Sequence, residues 1–75
     1  MIEAEAGRPV LVVVNGHERN LPWGATVVDV LEAAGLTGRP VAVELDGEVV
    51  PRSRFADCRL AGGERIEIVT FVGGG

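Results

Sequence analysis

Two dipeptides constrain this chain more than anything else in it. Asn15-Gly16 closes the apolar run Val10-Leu11-Val12-Val13-Val14, and Asp46-Gly47 closes Val41-Ala42-Val43-Glu44-Leu45. Asn-Gly and Asp-Gly readily take positive φ at both central positions, as a two-residue type I′ hairpin requires. Each pair therefore predicts a hairpin. The returns are His17-Glu18-Arg19-Asn20-Leu21 and the short Glu48-Val49-Val50, which Pro51 ends. The first run is apolar on both faces, which predicts a central or covered strand. Its polar return belongs nearer an edge. The second run alternates and puts Val41, Val43 and Leu45 on one face.

A helix is expected between the hairpins. Leu21-Pro22-Trp23-Gly24 reads as a turn with proline at its second position. Thr26 then suits an N-cap, and Asp29 three residues on makes an acidic capping box. Val27, Val30, Leu31 and Ala34 form one apolar stripe at helical spacing, and Gly35 stops the helix. Thr37 to Pro40 is the exit loop. Residues 52–60 look irregular, with a short turn of helix carrying Phe55 inward. After the Ala61-Gly62-Gly63-Glu64 turn, Arg65-Ile66-Glu67-Ile68-Val69 alternates and buries Ile66 and Ile68.

The helix must bury its stripe against one face of a sheet. The order hairpin, helix, short hairpin, loop, final strand is met by a mixed sheet whose first and last strands lie side by side and parallel. The predicted class is α+β, a ubiquitin-like β-grasp with one helix across the sheet. Residues 1–9 read as a flexible extension, 10–72 as the β-grasp domain and 73–75 as a flexible glycine tail. The final strand runs through Phe71 and Val72 directly into Gly73-Gly74-Gly75. Three extended glycines reach roughly 10 Å, with no β-carbons to obstruct a narrow channel in a partner.

With 75 residues, a large internal active-site cavity is not expected. The net charge of −4 and the absence of any basic cluster argue against nucleic acid as a partner. All seven basic residues are arginine, so the chain has no side-chain amine for an isopeptide bond. The single cysteine, Cys58, excludes an internal disulfide framework and a cysteine-based metal site. There is no apolar run of membrane-spanning length and no recognisable signal peptide. The expectation is a monomer in the cytoplasm.

Several residues invite a function and are read plainly. Cys58 is expected to be a small buried hydrophobe rather than a persulfide carrier. His17 is read as a solvated turn residue, and Trp23 divides evenly between an interface residue and a lid on the helix end. Glu44, Asp46 and Glu48 alternate along a hairpin as a solvated face, not a metal site. Phe71 divides evenly between core and partner contact.

Five pieces together resemble the ThiS family, the sulfur carriers of thiamine biosynthesis. They are Val14-Asn15-Gly16, Leu21-Pro22 with Gly24-Ala25-Thr26-Val27, Val41 to Gly47, Val50-Pro51-Arg52-Ser53, and Ile66-Glu67-Ile68-Val69 followed by Gly73-Gly74-Gly75. The resemblance covers Val10 to Gly75. Asp46 stands where asparagine is the more usual family residue. The resemblance implies that a ThiF-type adenylyltransferase, using its own ATP and magnesium, activates the Gly75 carboxylate. It implies that persulfide sulfur from a cysteine desulfurase converts the adenylate to a thiocarboxylate, and that a ThiG-type thiazole synthase consumes it. Phe71, Val72, Gly73 and Gly74 would contact these partners. The chain itself would bind no cofactor and hold no catalytic side chain. Three alternatives compete: a molybdopterin synthase small subunit or another sulfur carrier, a ubiquitin-like modifier conjugated through Gly75, and an interaction module with an inert tail.

Overall fold

The computed structural model describes residues 7–71. Residues 1–6 of the expected extension, and Val72 and Gly73 to Gly75 of the expected tail, lie outside the described residues. Five strands and one helix follow in the order β1 (Val10–Val14), β2 (His17–Leu21), α1 (Val27–Ala33), β3 (Val41–Leu45), β4 (Glu48–Val50) and β5 (Arg65–Thr70). They form one mixed sheet of order β2-β1-β5-β3-β4. β1 and β5 are parallel, with Val14 opposite Ile66, and β5 is antiparallel to β3, with Ile68 opposite Val43. This is the β-grasp arrangement, and it makes the last strand the centre of the sheet.

Both hairpin turns close as the dipeptides predict. Asn15 and Gly16 have φ of 49° and 85°, and Asp46 and Gly47 have 50° and 87°. The helix start also follows its sequence. The Asp29 carboxylate accepts the Thr26 backbone N–H at 2.8 Å. At the other end Gly35, with φ of 75°, donates to the Glu32 carbonyl, and Leu36 donates to the Leu31 carbonyl at 2.8 Å. That pair of bonds is a Schellman closure, which satisfies two carbonyls the helix would otherwise leave open.

The core lies between α1 and one face of the sheet. Val27, Val30 and Leu31 of the helix are buried with Val10, Val12 and Val14 of β1, Val43 of β3, and Ile66 and Ile68 of β5. Phe55 and Leu60 complete it from the irregular segment, in which Arg52–Arg54 forms a single 3-10 turn. This segment is stitched to the helix entry. The Leu60 N–H donates to the Ala25 carbonyl at 2.9 Å, and the Val27 N–H donates to the Cys58 carbonyl. Cys58 is half-buried against the core.

Two expectations are corrected. The turn before the helix is formed by residues 22–25, because the Ala25 N–H donates to the Pro22 carbonyl at 3.0 Å. Proline therefore stands first, not second, and Gly24 with φ of 90° takes the position that needs positive φ. The first strand is central, but it is covered on one face only. One helix shields one side of the sheet, so Leu11 on the other side is 44% exposed. Trp23 is 47% exposed.

Candidate functional site

The candidate site is the end of β5, where the chain leaves the sheet toward Gly75. β5 has neighbours on both flanks. β3 runs beside it over five register pairs, from Leu45 opposite Ile66 to Val41 opposite Thr70. β1 runs beside its first half, at Val13–Arg65 and Val14–Ile66. The last described residue, Phe71, is still hydrogen-bonded: its N–H donates to the Pro40 carbonyl at 3.1 Å. The backbone is therefore anchored up to Phe71, two residues before the first glycine of the C-terminal run.

Alternation sorts the side chains of β5. Ile66 and Ile68 enter the core, whereas Arg65, Glu67 and Val69 face outward. Val69 lies opposite Ala42, and Glu67 opposite Glu44, which in turn lies opposite Val49 of β4. Val49, Val69 and Phe71 are 70%, 58% and 55% exposed. Phe71 is thus not a core residue. The open sheet face carries apolar side chains near the strand's end, with the carboxylates of Glu44 and Glu67 beside them.

The remaining singled-out residues are elsewhere. His17 is exposed in the first hairpin, and Cys58 lies beside Leu45, Glu48 and Pro51 in a shallow depression. Glu44 and Glu48 are exposed, and among the described residues no group of three or more His, Cys, Asp or Glu side chains is placed to hold a metal ion. Asp46 holds the start of β5: its Oδ1 accepts the Arg65 N–H at 2.8 Å, and its own N–H donates to the Arg65 carbonyl. Only an acceptor is needed from the side chain there, and aspartate supplies it. Among the described residues, no helix is long and apolar enough to cross a membrane.

Comparison with known proteins bears on the same strand and tail. The model of the ThiS family matches residues 12–75, so the match runs through the glycine end. A thiazole synthase of Paramagnetospirillum magneticum is 44% identical over 64 residues, which are 85% of this chain and 20% of that protein. A thiazole synthase of Magnetococcus marinus is 36% identical over 62 residues, 83% of this chain and 19% of that protein. The chain thus spans about one fifth of the length of these curated relatives. The crystal structure of a thiamine biosynthesis protein (ThiS) from Geobacter metallireducens superposes with a TM-score of 0.71 at 30% identity, covering 88% of this chain and all of that one.

Proposed function

This chain belongs to the ThiS family, and on that premise we propose that it is a sulfur carrier of thiamine biosynthesis, loaded on the carboxyl group of Gly75. The observation that carries the reading is the family match through residue 75, joined to a last strand held centrally in the sheet up to Phe71. The chain is a co-substrate. The catalytic groups, ATP and magnesium belong to a ThiF-type adenylyltransferase.

The chemistry follows from the carboxylate. An α-carboxyl group is ionised at neutral pH and is a poor electrophile. Its oxygen attacks the α-phosphorus of ATP, and pyrophosphate leaves. A persulfide sulfur, delivered from a cysteine desulfurase, then attacks the acyl carbon and AMP leaves. A thiol cleaves the resulting S–S bond and is itself oxidised to a disulfide, which leaves a thiocarboxylate on Gly75. Held as an acyl species, the sulfur does not diffuse away. Gly73 and Gly74 let the partner close on the backbone and grip it by hydrogen bonds. Val72 and Phe71 sit at the base of this grip.

A thiazole synthase is the proposed acceptor. In two relatives named thiazole synthase the matched segment is about one fifth of a longer chain, which supports a working association between the two parts. The test is direct. The chain is incubated with a ThiF-type adenylyltransferase, ATP and a persulfide donor, and its intact mass is read. A gain equal to the difference between sulfur and oxygen is expected. No gain, or isopeptide adducts instead, overturns the reading.

The open sheet face supplies a second prediction. Phe71 is more than half exposed, so Phe71→Ala should change the unfolding free energy by less than about 1 kcal/mol. The same substitution should weaken binding to the adenylyltransferase about tenfold, the scale of an aromatic interface residue. Titration calorimetry with the partner and thermal unfolding of the free chain separate the two effects.

A further inference from the structure

β5 outruns its parallel neighbour. β1 stops at Val14, opposite Ile66, and the Asn15-Gly16 turn takes the chain away. Four more residues of β5, Glu67 to Thr70, continue toward Phe71. β3 covers one flank of this outer half. On the other flank the backbone ladder ends where the Asn15 N–H donates to the Ile66 carbonyl at 2.9 Å. The next groups of β5 on that flank are the N–H and C=O of Ile68, because alternate residues face alternate neighbours.

Both of those groups are taken by one side chain. Asn15 Oδ1 accepts the Ile68 N–H at 2.8 Å, and Asn15 Nδ2 donates to the Ile68 carbonyl at 3.1 Å. The side-chain amide presents a donor and an acceptor together, as a peptide group does. It supplies the rung that β1 is too short to provide. The turn alone does not require this, since glycine or aspartate also tolerates positive φ. The side chain of Asp46, at the equivalent place in the second hairpin, makes only an acceptor contact, to the Arg65 N–H.

We propose that Asn15 is a positioning residue for the reaction at Gly75: its side-chain amide clasps Ile68 and fixes the outer half of β5, from which the tail departs. This role rests on the sulfur-carrier reading above. A partner that reads an extended backbone needs the origin of that backbone held still, because misplacement by an ångström is costly to a reacting group. Where the strand end frays, only a fraction of molecules presents the tail correctly, and apparent affinity falls by that fraction. The effect therefore belongs in KM rather than kcat.

Asn15→Gly keeps the positive φ and the backbone bond to Ile66 but deletes the clasp. Asn15→Asp keeps an acceptor for the Ile68 N–H and turns a second oxygen, in place of the donor, toward the Ile68 carbonyl. Asp46→Asn retains its acceptor and is the control. Amide exchange at Ile68 is measured by NMR, with the amides of β1 and β3 reporting global opening. Adenylation kinetics are measured by ATP–pyrophosphate exchange with a ThiF-type enzyme that activates the wild-type chain. Asn15→Gly should exchange Ile68 about tenfold faster than wild type, relative to β1 and β3, for the loss of two hydrogen bonds, and Asn15→Asp, which keeps the acceptor and loses only the donor, should be accelerated less. Both should raise KM, Asn15→Gly about tenfold and Asn15→Asp less, with kcat within about twofold. Asp46→Asn should match wild type in each measurement. Unchanged Ile68 exchange overturns the clasp, and lost protection with unchanged KM overturns the positioning role. Wild-type chain that no ThiF-type enzyme activates overturns the carrier reading and this role with it. Faster Ile68 exchange would then mark Asn15 as a strand clasp alone.

Discussion

Leu60→Ala should lower the unfolding free energy by about 2–5 kcal/mol, and Leu31→Ala by a similar amount. Leu31 belongs to the helical stripe, whereas Leu60 lies in no helix or strand. Both are buried, Leu60 to 2% exposure. Each truncation removes the transfer energy of the lost carbons and leaves a cavity that the sheet and helix cannot fully close. A domain of this size holds roughly 4–11 kcal/mol in total, at about 0.05–0.15 kcal/mol per residue. Either change would thus remove a large share of it. Urea unfolding measures the loss. A change under about half a kilocalorie for Leu60→Ala would mean that residues 52–60 do not close the core.

Leu60 also shows where sequence pattern stops being informative. The strands and the helix announce themselves by period, and their ends by Asn-Gly, Asp-Gly, Thr-x-x-Asp and Gly35. These are local signals, and the backbone obeys them locally. Arg52 to Leu60 has no period, so nothing in it says which side chains turn inward. Phe55 stands out as the large apolar residue there. Leu60 is selected by a distant contact, the bond to Ala25, which only the tertiary structure reveals. The same holds for the open sheet face. Leu11 sits in an apolar run and reads as covered, but a single helix can shield only one side.

The candidate site divides in the same way. The glycine end and Phe71 are visible in the sequence because bare backbone beside apolar residues is unusual. The exposure of Phe71 follows from strand alternation, which the two core isoleucines Ile66 and Ile68 set in phase. The clasp between Asn15 and Ile68 is invisible in the sequence. Asn15 already has a sufficient local reason to be there, the hairpin turn, and its partner lies 53 positions away. Asp46 likewise reads as turn chemistry alone, and its hold on Arg65 depends on β5 lying beside the second hairpin.

Gly74→Val should leave the fold intact and reduce adenylation on the order of 100-fold, the scale on which misplacement of a reacting group costs rate. Position 74 follows β5 in the chain and lies outside the described residues, whose core is formed by other positions. The valine's branched β-carbon narrows the backbone conformations available and adds bulk where the partner must close on the chain. Deleting Gly75 tests the other half of the idea. It adds no bulk but retracts the carboxylate by about 3.5 Å from the place where the α-phosphorus is held. If channel width governs, Gly74→Val suffers more; if reach governs, the deletion does. In either case unfolding curves should overlay the wild type, and pyrophosphate release in a single turnover should fall. Equal rates for wild type and both variants would show that the partner does not read the glycine end. The carboxyl group of Gly75 would then not be where sulfur is loaded.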